Sequence, residues 1–222
     1  MKHDRCAMKV GTDGVLLGSW TQVKDARTAL DVGCGTGLIA LMMAQRNETL
    51  TVVGIDIDDD AVEQARENVS VSPWKERIKI KKHDFNEVFG SEELFDLIVS
   101  NPPFYTEDTA CPDDSRQKAR HATSLPMATM MEQAARLLTE DGRLALIVPY
   151  SAAADVTGEA VMNKLYLCRR TDVRTTPIKQ AKRTMLEFGR NMQPTVYDLL
   201  TLKDEEGNMS NEYKALTEDF YL

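Results

Sequence analysis

Two adjacent prolines, Pro102 and Pro103, stand directly behind a mostly apolar run, Leu94-Phe95-Asp96-Leu97-Ile98-Val99. Proline lacks a backbone N–H donor and holds φ near about −65°, so the pair fits neither a helix interior nor the middle of a sheet. The run ahead of it reads as a buried strand. A buried strand therefore stops abruptly in a stiff turn, Asn101-Pro102-Pro103-Phe104. That turn presents a carboxamide, backbone carbonyls and an aromatic ring. It is a poor connector but a good clamp for a flat group bearing an amine.

The strand before this turn belongs to an alternating series. Strand-like segments fall at 28–32, 50–55, 78–82, 94–100 and 143–148, and helix-like segments at 38–45, 59–71 and 127–139. Asp58 or Asp59 is the expected N-cap of the second of these helices, and the third is expected to stop near Gly142. Alternation of this kind implies parallel βαβ units and a doubly wound α/β sheet. A further helix is expected at 152–163. Strands at 164–173 and 183–190, separated by Thr176-Pro177, suggest an antiparallel hairpin at one sheet edge. The segment 106–126 is polar and aperiodic and holds Pro112 and Pro126. A loop of this length is usually functional or disordered, and its place behind the proline turn suggests a lid or a substrate contact.

At 222 residues the chain fits one domain. The net charge of −8 argues against indiscriminate binding to nucleic acid or anionic membrane, though not against a local basic patch. No apolar stretch reaches the length of a membrane-spanning helix, about 18 residues, and the first six residues lack the apolar core of a signal peptide. Cys6, Cys34, Cys111 and Cys168 are scattered, which suggests reduced thiols in the cytoplasm and no metal site.

The first strand ends in Asp31-Val32-Gly33-Cys34-Gly35-Thr36-Gly37, just before a helix. Glycines let a backbone turn tightly and approach a ligand. Asp56 closes the next strand 23 residues after Gly33, the usual separation for a carboxylate that accepts from ribose hydroxyls. The glycine spacing is not that of dinucleotide folds, and no phosphate-loop Gly-Lys-Ser/Thr is present. Asp31 would repel a pyrophosphate and would suit an ammonium. S-adenosylmethionine carries an amino group and a sulfonium and no phosphate, so it fits this set. Asp84, at the end of the third strand, could accept from the adenine amino group, or simply serve as a helix cap or surface residue.

Together, residues 31–37 and 101–104 resemble motifs I and IV of class I S-adenosylmethionine-dependent methyltransferases. The resemblance implies a Rossmann-like, mostly parallel seven-stranded sheet. The [DNS]-P-P-[YFW] signature is shared by enzymes that methylate amino groups conjugated to planar systems. Asn101 and Pro102 would accept the amine hydrogens, and Phe104 would stack on the base. A closer resemblance, to the bacterial tRNA1(Val) (adenine-37-N6)-methyltransferases, is carried by AMKVGTDGVLLGSW at 7–20, Ser72-Pro73-Trp74, Ala119-Arg120-His121 and the ending Asp219-Phe220-Tyr221-Leu222. It spans essentially the whole chain. Members usually carry more aromatic and basic residues ahead of the position of Ala7. The resemblance implies N6-methylation of an anticodon-loop adenine in tRNA. It also implies that the segment 9–14 folds over the cofactor, with Thr12, Asp13 and Gly14 enclosing the methionine end. Asp13 could equally form an Asx-turn or helix cap, while Trp20 and Trp74 read as packing residues.

The resemblance divides the single domain, 1–222, into an N-terminal segment covering the cofactor (1–27), a cofactor-binding core (28–149), and a C-terminal helix, edge hairpin and tail (150–222). Between residues 164 and 190 stand eight basic residues, Lys164, Arg169, Arg170, Arg174, Lys179, Lys182, Arg183 and Arg190, against Asp172 and Glu187. Such a stretch on an acidic chain suits a phosphate-binding face, or an ordinary solvated hairpin. Arg169, Arg170, Lys179, Lys182 and Arg183 are the expected RNA contacts there, joined by Arg120 and His121 behind the proline turn. Alternatives are a guanine-N2 methyltransferase of rRNA, a glutamine-N5 methyltransferase of proteins, and a non-catalytic cofactor- or RNA-binding module. A monomer is the simplest expectation.

Overall fold

The computed structural model describes residues 11–87, 94–103 and 126–220. Phe104, Arg120, His121 and all of the 106–126 loop except Pro126 lie outside them. The elements run α1 (Thr12–Trp20), β1 (Thr28–Val32), α2 (Leu38–Arg46), β2 (Thr51–Asp56), α3 (Asp59–Ser70), β3 (Ile78–Lys82), β4 (Phe95–Ser100), α4 (Met127–Leu137), β5 (Leu138–Pro149), α5 (Ala153–Met162), β6 (Tyr166–Arg174), β7 (Arg183–Gly189), β8 (Val196–Thr201) and α6 (Asn211–Thr217).

One sheet of eight strands, ordered β3-β2-β1-β4-β5-β7-β6-β8, carries these elements. β3, β2, β1, β4 and β5 are mutually parallel. β7 runs antiparallel to both β5 and β6. Alternate strand residues face opposite sides of a sheet, and each side here meets its own helices. Ala29, Leu97, Val99 and Ile147 pack with Leu16, Leu17 and Trp20 of α1 and with α2 and α3. Leu30, Ile98, Leu146 and Phe188 pack with Met130 and Met131 of α4 and with α5. The result is a three-layer α/β/α fold with helices covering both faces.

Two side chains set local starts. The expected cap of α3 is Asp58, which accepts from the N–H groups of Asp60 and Ala61. Asp96 Oδ2 accepts from the N–H groups of Arg27 (2.9 Å) and Thr28 (3.1 Å), aligning the starts of β1 and β4. Trp20 is buried, its indole donating to Thr171 Oγ1 at 2.9 Å. Trp74 packs against the same core.

Three expectations change. The sheet has eight strands rather than seven, because β8 adds to β6 as a parallel edge. Val196, Tyr197, Asp198 and Leu199 are all exposed, so β8 shows none of the apolar/polar alternation that marks a half-buried strand. The β6–β7 hairpin consequently lies inside the sheet and not at its edge. Finally, the helix expected at 127–139 ends at Leu137 and passes directly into β5. Arg190, far along the chain, donates to the carbonyls of Ala135, Leu138 and Thr139 and so satisfies that helix end. Local sequence carries no sign of that partner.

Candidate active site

The carboxyl ends of four parallel strands meet at one edge of the sheet. Val32 is in register with Ile55 on one side and Ser100 on the other, and Asp56 with Lys82. Ser100 Oγ donates to the Val32 carbonyl at 2.8 Å, buried. This bond fastens the strand that leads into Asn101 to the strand that leads into the glycine loop. A small polar residue at a strand end carries no periodic signal, and Ser100 was not legible as a site residue.

Gly33, Gly35 and Gly37 have φ of +68°, +53° and +79°, values that side chains other than glycine strongly resist. Their surroundings differ. A methyl group built on Gly37 would lie 3.4 Å from Ala65 of α3, ordinary contact, so its conformation and not lack of room calls for glycine there. On Gly33 or Gly35 it would meet nothing within 4 Å among the described residues. The backbone there faces open space, which a bound group can approach closely.

Asp56 spans this loop and the next. Its Oδ2 accepts from Gly35 N–H at 2.9 Å and its Oδ1 from Asp58 N–H at 3.0 Å. An ionised carboxylate has about four acceptor positions, so capacity remains for a ligand hydroxyl on a carboxylate already held in place. Asp84 is half-buried, and its Oδ1 accepts from the Asn86 backbone and side chain, each at 2.8 Å. It therefore holds its own turn while standing at the same edge.

Asp31 is wholly buried. Its Oδ2 accepts from Ala40 N–H at 3.1 Å in the first turn of α2, a helix whose N-cap, Gly37, offers no side chain. The carboxylate thus satisfies one of the N–H groups that every helix start leaves open. Its Oδ1 is buried with no hydrogen-bond partner among the described residues. Desolvation pushes the carboxyl up to about 7, reinforced by the charge of Asp56 and opposed by the Ala40 bond. A buried acceptor in this condition is suited to a cation.

Asn101 is half-buried, Pro102 buried and Pro103 exposed. Thr12, Asp13 and Gly14 form the first turn of α1. A methyl group on Gly14 would come within 3.2 Å of Leu38, so Gly14 brings α1 close to the start of α2. The N-cap of this helix is Gly11, not Asp13. Asp13 Oδ2 instead accepts from Arg183 Nε at 2.8 Å, an ion pair that ties the N-terminal segment to the start of β7.

The basic stretch divides. Arg169 turns inward: its guanidinium lies 3.6 Å from the centroid of the Trp20 ring, donates to the Trp20 carbonyl at 2.8 Å and approaches Glu187 at 3.5 Å. Burial lowers its pKa, and a side chain so placed is withdrawn from phosphate. Arg170 is paired with Asp172 through two bonds of 2.9 and 3.2 Å. Arg174 bonds Thr201 and the Pro177 carbonyl, and Arg183 pairs with Asp13 as described. Of the five expected RNA contacts in the hairpin, Lys179 and Lys182 are the two exposed ones. The charge count signalled a patch, whereas the geometry assigns most of the arginines to the fold.

Among the described residues no group of His, Cys, Asp and Glu could hold a metal, and no helix is long and apolar enough to cross a membrane.

Comparison with known proteins places this geometry. Residues 7–172 match the family model described as methyltransferase small domain. A protein of Phocaeicola vulgatus named tRNA1(Val) (adenine(37)-N6)-methyltransferase is 47% identical over 220 residues, covering 99% of this chain and 93% of its own length. One of Bacteroides thetaiotaomicron with the same name is 42% identical over 221 residues, with coverages of 99% and 93%. Among solved structures, a protein of Agrobacterium tumefaciens described as a predicted O-methyltransferase superposes with a TM-score of 0.73 at 15% identity, covering 93% of this chain and 96% of that one. A methyltransferase of Pyrococcus furiosus gives 0.61 at 18% identity, with coverages of 86% and 88%. At such identities the structural likeness concerns the fold.

Proposed function

Because the chain belongs to the tRNA1(Val) (adenine(37)-N6)-methyltransferase family, we propose that it methylates N6 of adenine 37 in tRNA1(Val), with S-adenosylmethionine as donor. The observation that carries this reading is the Ser100–Val32 bond, which sets the Asn101 turn beside the open glycine loop. The loop itself fits the donor: among the described residues two glycines face open space and a buried carboxylate oxygen without a partner stands at its base. When bound, S-adenosylmethionine supplies an electrophilic methyl group on a sulfonium. Thr12, Asp13 and Gly14 would enclose its methionine end, Asp31 would answer its ammonium, Asp56 its ribose hydroxyls, and Asp84 its adenine amine.

An exocyclic adenine amine is a weak nucleophile because its lone pair is delocalised into the ring. The Asn101 side-chain oxygen and the Pro102 carbonyl would each accept one amine hydrogen, turning the lone pair out of conjugation and toward the methyl position. Both oxygens also stabilise the positive charge that grows on nitrogen. Pro102 has no N–H to compete for its neighbours, and its ring keeps the turn fixed before substrate arrives. No strong base is required, since the alkylated amine is acidic and releases its proton to water. Phe104 would stack on the adenine face. An anticodon-loop base is already single-stranded, so little pairing energy opposes its entry. In this reading residues 1–222 work as one unit in the cytoplasm, with tRNA approaching across the strand ends.

The test incubates the protein with labelled S-adenosylmethionine and bacterial tRNA and identifies the modified nucleoside by mass spectrometry. N6-methyladenosine at position 37 is expected. Asn101→Ala should lower kcat by about a hundredfold or more while calorimetry finds S-adenosylmethionine affinity unchanged. Formation of N2-methylguanosine, or labelling of protein in place of RNA, would overturn the reading.

A further inference from the structure

Tyr150 opens the short turn behind β5, and 46% of its surface is exposed. Single exposed aromatics are ordinary. This one stands in unusual company. β5 runs parallel to β4, with Leu146 in register with Ser100, so Tyr150 emerges from the same edge as Asn101, three residues farther along its strand. The rise of a strand carries Pro149, the last residue of β5, about 7 Å past the level of Asn101, and Tyr150 follows it. Its backbone N–H donates to the Lys182 carbonyl at 3.1 Å, which joins this turn to the loop that carries an exposed lysine. The Arg170 guanidinium lies 5.4 Å from the ring centroid, within cation–π range. Two bonds to Asp172 hold Arg170 there. Tyr197, 68% exposed, is the register partner of Arg170 on β8, so a second ring continues the surface.

A nucleobase offers a π-face to an aromatic platform, and its phosphate offers a charge to an adjacent lysine. A guanidinium already paired with a carboxylate is a weak phosphate ligand but a firm support for the tyrosine. Resting on the functional reading above, we propose that Tyr150, steadied by Arg170 and with Lys182 on the adjoining loop, is a stacking platform for an anticodon-loop base neighbouring the target adenine. Nothing in the clamp at Asn101 requires it. The platform acts on how the RNA strand is held, not on methyl transfer itself.

Steady-state kinetics on tRNA tests this. Tyr150→Ala should raise the KM for tRNA about tenfold, the scale of losing one base–aromatic stack, with kcat at saturating tRNA and affinity for S-adenosylmethionine unchanged. Tyr150→Phe keeps the ring and should match the wild type. Should Tyr150→Ala fail to fold, Tyr150→Leu carries the same expectation. An unchanged KM in the ring-less variant would overturn the platform, as would an equal loss in Tyr150→Phe, which would assign the effect to the hydroxyl. A wild-type protein that methylates tRNA while Tyr150→Ala is indifferent would remove this inference alone. A wild-type protein that leaves tRNA unmodified would remove the functional reading beneath it.

Discussion

The two ends of the sheet handle charge in opposite ways. In the parallel half, β3-β2-β1-β4, acids stand at strand ends and keep acceptor capacity beyond the bonds that position them. Asp56 is held by Gly35 and Asp58, and Asp31 by Ala40 with one oxygen left over. In the antiparallel half, β7-β6-β8, arginines are mostly engaged in holding the fold, although Arg169 Nε is buried with no hydrogen-bond partner among the described residues. Arg169, Arg170, Arg183 and Arg190 each bind a ring, a carboxylate or a set of carbonyls within the protein. A charged residue reports on ligands when its partners leave it incomplete. Where partners complete it, it reports on architecture. The contrast makes measurable statements about each half.

The largest expected effect falls on Arg169. Removing it by Arg169→Ala leaves Glu187 half-desolvated and strips the face of Trp20. Loss of one partner from a largely buried pair costs about 3 kcal/mol, so urea unfolding should show a drop of that order. The salt dependence of tRNA binding should stay as in the wild type. A variant of normal stability with a shallower salt slope would return Arg169 to the phosphate-binding face and erase the contrast.

Asp31 sharpens the other half. Its pKa rises from 3.8 to about 7 on folding, chiefly through desolvation. Between those values the folded chain holds a proton that the unfolded chain has released. Stability from this group is therefore full below the lower value and declines as pH rises toward the upper one. Subtracting the stability-versus-pH curve of Asp31→Asn from that of the wild type isolates the decline. Bound S-adenosylmethionine, with its ammonium against the spare oxygen, should flatten that difference by returning Asp31 to its ionised form at lower pH. A difference curve level across the window would show that Asp31 ionises freely and has no need of a cation.

Much of the parallel half was readable in the chain because its signals are local. Gly33, Gly35 and Gly37 follow one strand at fixed intervals, Asp56 closes the next, and Pro102-Pro103 stops a third. Each of these is a statement about backbone freedom at a known place. The antiparallel half resisted because its determinants are distant. Arg190 closes α4 from the end of β7, Arg183 reaches Asp13 at the other end of the chain, and β8 is an edge whose first four residues are exposed on both faces. Eight basic residues in a stretch of sequence looked alike. Their partners, which decide what each one does, are set by topology and not by spacing.

Lys179 and Lys182 give the smallest effect and the finest division of that stretch. They are exposed on the loop between β6 and β7, and β7 begins opposite the end of β5, so the loop lies at the same edge as the Asn101 turn. Each lysine that neutralises a phosphate adds about one to the slope of log affinity against log salt. Lys179→Ala and Lys182→Ala should each reduce that slope by about one, leave unfolding unchanged, and weaken all tRNAs alike. Equal slopes before and after substitution would move the RNA path off this loop, and the basic stretch would then be structural in its arginines and solvated in its lysines.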